Sequence, residues 1–131
     1  MNRPRLDLIL IQGRFAVCRL PPNAELPSWA AGEFSSLTRT SDELSVVCAE
    51  DAVPKDIRCE AGWRILKVAG PLDFGLTGIL LSIAGPLAEA GISIFALATY
   101  DTDYVMVKEQ NLDRAIRALE TAGHRVTPRR V

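Results

Sequence analysis

A repeated strand–turn–strand pattern constrains the fold of this chain more than any other feature of its sequence. Residues 37–51, LTRTSDELSVVCAED, align with residues 97–111, LATYDTDYVMVKEQN, at an offset of 60 residues. In this alignment Leu37 meets Leu97, and the strand–turn–strand pattern matches throughout although identities are few. Self-similarity at one fixed offset indicates that a single supersecondary unit occurs twice. We therefore expect the chain to consist of two related halves.

Alternating apolar runs predict strands, and the short polar turns between them predict hairpins. A further strand is predicted at 63–70, just before a glycine-rich segment. The predicted hairpins are 6–12 with 15–20 around Gly13-Arg14, 33–40 with 43–50 around Ser41-Asp42, and 92–100 with 103–109 around Asp101-Thr102.

Two segments have the apolar spacing of helices. In the first, residues 77–90, Pro86 removes the backbone bond to the carbonyl of Ser82 and is expected to kink the helix. The second follows Asn111, which is a good N-cap, and stops at Gly123, a natural residue to end a helix.

Each half thus reads as strand, helix, strand, strand, helix, with weaker helical patterns in the first half at 24–31 and 54–60. This order predicts an α+β fold of two ferredoxin-like βαββαβ units with antiparallel sheets. Residues 124–127 can close the second unit. The first unit lacks a free closing strand, so we expect the N-terminal strand 6–12 to fill that slot and to make the first unit a permuted one. The predicted units are residues 1–62 and 63–131.

Composition excludes several classes of function. The chain has 15 basic and 16 acidic residues, so nothing in its charge favours binding to nucleic acid or to an anionic membrane. The first apolar run is too short for a signal sequence or a membrane span, and we expect a cytoplasmic protein. Cys18, Cys48 and Cys59 match no zinc spacing and are expected to be reduced and mostly buried. No metal or other cofactor is expected.

The glycine-spaced turn before the first predicted helix is the main candidate for a binding site. A phosphate loop would carry a lysine followed by serine or threonine after its last glycine, but Gly78 is followed by Ile79 and Leu80. A carboxylate needs only free N–H groups and the positive end of a helix. The alternative is that these glycines merely permit the turn from strand to helix.

Two other polar features contain residue types that occur in catalytic sites. Asp101 and Asp103 could seat a cation or work as acid and base, but both residue types are also common in hairpin turns. His124 is the one histidine, and it has no serine or cysteine partner at a recognised spacing. We expect it at the surface or near the C-terminal end of the last helix, and we predict no catalytic residues.

Three segments carry a resemblance to ACT domains, the small regulatory modules that bind amino acids. FSSLTRTSDELSVV, DFGLTGILLSIAGPLAEAGIS and LATYDTDYVMVKEQNL resemble the cytosolic arginine sensors of animals and their bacterial relatives, and the arrangement is similar to the regulatory domain of aspartate kinases. The resemblance covers about residues 6–126 and is most specific over 74–103. It implies ligand binding without catalysis, at an interface between ACT units.

The resemblance also implies which residues hold the ligand, a free amino acid. Backbone groups at the turn into the helix would hold its α-amino and carboxylate ends, and Asp103 would face a cationic side chain. The arginine sensors have an acidic residue where Leu76 stands, so the identity of the amino acid stays open. Because those sensors carry four modules and this chain two, the resemblance implies a homodimer. The implied residues are Leu76, Thr77, Gly78, Ile79, Leu80, Thr99, Tyr100, Asp101 and Asp103.

A second hypothesis is a ligand-free interaction or dimerisation module that regulates a partner protein.

Overall fold

The structure is a computed structural model that describes residues 4–70 and 77–128. Its elements are mixed α and β. They are β1 (Asp7–Leu20), β2 (Ser36–Arg39), β3 (Leu44–Ala49), β4 (Cys59–Val68), α1 (Ile79–Glu89), β5 (Phe95–Ala98), β6 (Asp103–Lys108), α2 (Leu112–Thr121) and β7 (Arg125–Thr127). Short 3-10 turns at Glu50–Ala52 and Glu109–Asn111 follow β3 and β6. The chain forms two compact units, one of residues up to Gln12 and from Arg64 onward, the other of residues 13–63.

The N-terminal apolar residues form one continuous strand, so the predicted hairpin at Gly13-Arg14 is wrong. β1 runs for 14 residues through Gly13, which has a φ of +103°. Residues on each side of that glycine have their own pairing partner: Asp7 lies opposite Arg125 of β7, and Phe15 lies opposite Ala49 of β3. Pairing on both sides keeps the chain extended. An isolated glycine inside a strand marks a local distortion more often than a reversal.

In the unit of residues 13–63 the strand order is β2-β3-β1-β4. The start of β4 is the closing strand, and the backbone N–H of Arg19 donates to the carbonyl of Arg58 at 3.0 Å beside it. The expectation that residues 6–12 fill this position is therefore wrong. β4 is ten residues long, and only its first five residues belong to this unit.

The two weaker helical patterns of this unit are turns in the structure, so both predictions are wrong. In 24–31 the interior Pro27 disrupts a helix. In 54–60 the last two residues belong to β4, which leaves too few residues for a helix. The carbonyl of Pro27 accepts from the N–H of Ala30, and the carbonyl of Pro54 from that of Ile57, each as a single turn. The core of this unit is built from residues of β1 and β3 with Ala30, namely Ala16, Cys18, Ala30, Leu44, Val46 and Cys48.

In the other unit the strand order is β7-β1-β4-β6-β5. β7 pairs with β1 in parallel, with Leu8 opposite Val126, so the prediction of a purely antiparallel sheet is wrong. The reason is that the first residues of β1 lie between β7 and β4, where the predicted unit has no strand. The closing strand at 124–127 is confirmed as β7. The core of this unit includes Leu8, Leu66, Ile83, Leu87, Val105, Val107, Leu119 and Val126.

The two predicted helices are confirmed as α1 and α2, and each buries one apolar face. The buried residues include Ile79, Ile83 and Leu87 of α1 and Leu112, Ala115, Ile116 and Leu119 of α2. Gly123 has a φ of +103° directly after α2, as expected of a helix stop. Asn111 precedes α2, but its side chain does not cap the helix. It is already part of a 3-10 turn, and its Oδ1 accepts from Nη1 of Arg114 at 3.2 Å.

Two of the three predicted hairpins are confirmed, each with a turn closed by threonine. The N–H of Thr40 donates to the carbonyl of Glu43 at 2.9 Å between β2 and β3. The N–H of Thr99 donates to the carbonyl of Thr102 at 2.9 Å between β5 and β6. The two hairpins therefore have the same type of closure, but they correspond at an offset of 59 residues, one less than the offset of the sequence repeat.

Candidate functional site

The turn into α1 presents an uncapped helix start. Gly78 is the N-cap with a φ of +77°, and its carbonyl accepts from the N–H of Ser82 at 2.9 Å. The N–H groups of the first turn have no acceptor within a helix, and the helix dipole makes this end positive. No acidic side chain stands in this first turn to neutralise it. The arrangement suits a carboxylate group.

The predicted binding residues of this segment differ in what they can offer. Thr77, Gly78 and Leu80 are exposed. Ile79 has its side chain in the core, so only its backbone is available to a ligand. Leu76 lies outside the described residues.

The hairpin turn between β5 and β6 is fixed to the end of β4. Thr102 is buried, and its Oγ1 donates to the carbonyl of Val68, the last residue of β4, at 2.7 Å. Oγ1 of Thr99 donates to the carbonyl of Thr102 at 3.1 Å. The hairpin turn is therefore anchored at the end of β4, the strand that precedes α1 in the chain.

The other predicted residues of the hairpin lie around this anchor. Tyr100 is 81% exposed, Asp101 is exposed, and Asp103 is half-buried at the start of β6, opposite Ala98. Among the residues that the structure describes, no three or more side chains of the metal-binding types come together as a cation site. Thr102 is a residue that the sequence reasoning missed, because a threonine between two aspartates reads only as a turn former.

His124 is buried, so its predicted place at the surface is wrong. The N–H of Leu6 donates to Nδ1 at 3.0 Å, and Nε2 lies 2.8 Å from the carbonyl oxygen of Ser82. Since Nδ1 accepts, this hydrogen-bond network assigns the proton to Nε2, which donates to Ser82. Pro86 has no N–H with which to occupy that carbonyl, and α1 continues past it to Glu89.

A groove with a volume of about 720 Å³ lies between α1 and α2 and contains none of the predicted binding residues. Its walls bring the buried His124 together with exposed charged side chains of both helices. The polar residues that line it are Ser82, Glu89, Arg117, Thr121 and His124.

Residues 58–121 match the family model of the ACT domain. This segment, just under half of the chain, is therefore similar to an ACT domain. The matched residues run from just before β4 to the end of α2, so they include the turn into α1 and the hairpin of Thr102. A second family model, that of an N-terminal domain, matches residues 13–56.

A curated relative of this chain is the cytosolic arginine sensor for mTORC1 subunit 1 of Bos taurus. The two are 33% identical over 105 residues, which cover 72% of this chain and 32% of the sensor. The chain therefore spans about a third of the length of the curated relatives it matches.

Solved structures share the fold of this chain. A crystal structure of protein Atu0741 from Agrobacterium tumefaciens is 40% identical with a TM-score of 0.91, and covers 98% of this chain and 96% of that one. Aspartate kinase of Clostridium acetobutylicum has a TM-score of 0.66 at 13% identity, covering 93% of this chain and 36% of the kinase, which shows a shared fold.

Neither of the two helices that the structure describes is long and apolar enough to cross a membrane.

Proposed function

We propose that this chain is an ACT-domain sensor that binds a free amino acid at the turn into α1 and at the hairpin turn of residues 99–103. The observation that carries the proposal is the hydrogen bond from Thr102 to Val68, which anchors the hairpin turn at the end of β4. The two segments lie 19 residues or more apart in the chain, and this hydrogen bond ties the second of them to the end of the strand that precedes the first.

The chemistry of the two segments is complementary to the two ends of an amino acid. The N–H groups at the start of α1 would hold the α-carboxylate, since they are unpaired within the helix and lie at its positive end. Asp103 would hold a positive group, either the α-ammonium or a cationic side chain. Leu76 stands where the arginine sensors have an acidic residue, so arginine is not favoured over other amino acids as the ligand. The proposed contacts are Leu76, Thr77, Gly78, Ile79, Leu80, Thr99, Tyr100, Asp101 and Asp103.

The assembly is part of the proposal. The chain would hold two ACT-like units with a boundary near residues 62–63 and with residues up to Gln12 joined to the second unit, and a second copy of the chain would complete the site. This homodimer would supply four modules, the number that the resemblance to the arginine sensors implies. Ligand bound across the interface would stabilise the assembled state, and a partner protein, in the cytoplasm, would respond to that shift.

A second candidate is a ligand-free interaction module. Leu80 and Leu81 on the first turn of α1 are 43% and 56% exposed, and Tyr100 is 81% exposed. Exposed apolar side chains beside the proposed site would serve a protein interface as well as a ligand.

Thermal unfolding and titration calorimetry with each free amino acid separate the two candidates. A ligand present at 100 times its Kd should raise the free energy of unfolding by about 2.7 kcal/mol. No stabilisation by any amino acid at millimolar concentration would reject the sensor and leave the interaction module.

A matched pair of variants tests the location of the site. Gly78→Glu places a negative side chain at the N-terminus of α1, and Gly91→Glu places the same side chain beyond its C-terminus. The two glycines have φ values of +77° and +73° and open surroundings, so both changes carry a similar backbone cost. We expect only Gly78→Glu to abolish binding. Equal affinity in the two variants would place the site elsewhere.

A further inference from the structure

The three cysteines, far apart in sequence, converge in the unit of residues 13–63. Cys18 and Cys48 are buried in its core on β1 and β3, and Cys59 is exposed at the start of β4. β1 lies between β3 and β4 in the strand order, so Cys18 has a cysteine-bearing strand on each side.

The strand register distinguishes the possible pairs. The N–H of Arg19 donates to the carbonyl of Arg58, while the ladder begins at Cys59, which places Cys18 directly opposite Cys59. Residues opposite each other without mutual hydrogen bonds have Cα atoms about 4.5 Å apart and the closest side chains. That separation is at the lower end of the range a disulfide spans.

The other two pairs are less suited to a disulfide. Cys48 lies opposite Ala16, so it is a diagonal neighbour of Cys18. Diagonal neighbours are roughly 7–8 Å apart, at or beyond the reach of a disulfide. Cys48 and Cys59 lie on strands separated by β1, and so roughly 9–10 Å apart.

We propose that Cys18 and Cys59 form a reversible cross-strand disulfide when the protein meets a peroxide, with Cys48 left as a free thiol. The bond would join β1 to the strand that closes this unit.

The reaction starts at the exposed thiol. Sulfur of Cys59 attacks one oxygen of hydrogen peroxide, the O–O bond breaks, and Cys59 sulfenic acid and one water form. Sulfur of Cys18 then attacks the Cys59 sulfur, the S–O bond breaks, and the hydroxyl leaves as water with the proton of Cys18. Two thiols lose two electrons and two protons, and the peroxide is reduced to two waters.

The roles of the two sulfurs follow from their surroundings. Burial raises the pKa of the Cys18 thiol to about 12, and the neighbouring thiols of Cys48 and Cys59 add to the shift. A thiol that stays protonated is a poor first nucleophile, so the exposed Cys59 reacts first and Cys18 resolves the sulfenic acid slowly.

Peptide mapping of the full chain tests the proposal. Cleavage after arginine and lysine puts the three cysteines into separate peptides, 15–19, 40–55 and 59–64. After peroxide treatment and alkylation of free thiols, we expect peptide 15–19 linked to peptide 59–64, and peptide 40–55 alkylated. The link should be reversed by dithiothreitol, absent from Cys59→Ser, and retained in Cys48→Ala.

An unfolded control shows whether the fold directs the pairing. In guanidinium the shorter loop favours Cys48–Cys59 over Cys18–Cys59 by about sevenfold. The native protein should reverse this preference. A native link to peptide 40–55, or Cys59 overoxidised while Cys18 stays free, would overturn the proposal. A link found between isotope-labelled and unlabelled copies would overturn it as well.

Discussion

The Nε2 atom of His124 lies 2.8 Å from the carbonyl oxygen of Ser82, the group that Pro86 leaves without its helical partner. The same ring accepts the N–H of Leu6 at Nδ1. One side chain thus supplies the hydrogen bond that a proline removed from α1 and also holds the segment that leads into β1. Buried backbone groups need partners, and here a residue 42 positions away provides one.

Replacing His124 should cost stability because two backbone groups lose their partner. We expect His124→Ala to lower the free energy of unfolding by about 2–4 kcal/mol, measured by denaturant titration. Pro86→Ala restores an N–H that can reach Ser82. The loss on removing His124 should therefore be smaller by about 0.5–1 kcal/mol in the Pro86→Ala background. Strict additivity of the two changes would contradict this role.

Thr102 should matter both for stability and for ligand binding. Thr102→Val keeps the shape but leaves the carbonyl of Val68 without its donor, and we expect a loss of about 1–3 kcal/mol in chemical denaturation. If the hairpin turn helps to form the proposed site, the affinity for the amino acid should fall as well. Thr102→Ser, which retains the hydroxyl, is the matched control for both measurements. Unchanged stability of Thr102→Val would show that the bond to Val68 does not anchor the turn.

Cys18 should make the reduced protein less stable in alkali. Burial raises its pKa from the ordinary value of 9.0 to about 12, so between these values the unfolded chain loses a proton that the folded chain keeps. Stability is then full below pH 9 and falls as pH rises, by about 1.4 kcal/mol between pH 8 and pH 10. Burial also raises the pKa of Cys48, which acts in the same direction.

Denaturant titrations at several pH values, with reductant present, measure this slope. Cys18→Ala should flatten it between pH 8 and pH 10, and Cys59→Ser should leave the contribution of Cys18 in place. A slope that is unchanged in Cys18→Ala would assign the alkaline loss to other groups.

The elements that the sequence predicted correctly depend on neighbours in the chain. The apolar spacing of Leu112, Ile116 and Leu119 marks the buried face of α2, and Gly123 ends the helix because only glycine adopts its positive φ readily. The two confirmed hairpins rest on turn residues between alternating strands. Asn111 shows the limit of such reasoning, since a preceding 3-10 turn changes the geometry in which it would cap.

The candidate site likewise has one feature that depends on neighbours in the chain and one that depends on distant residues. The open helix start at Gly78 follows from a glycine before an apolar helix, and it was predicted. The anchor from Thr102 to Val68 joins residues 34 positions apart and was not. The sequence also predicts that Pro86 leaves the carbonyl of Ser82 without its helical partner, because the two residues are close in the chain. It does not predict that His124, 42 positions away, donates to that carbonyl.

By itself, the sequence determined the two helices with their buried faces and two hairpin turns, because periodicity, turn residues and helix ends are local properties. The tertiary structure alone decided that β1 is continuous, that β4 closes one unit and continues into the other, that β7 pairs in parallel with β1, and that His124 is buried. Each of these depends on hydrogen bonds between backbone groups that are far apart in the chain. Which of those groups pair is decided by how the strands and helices pack around the core.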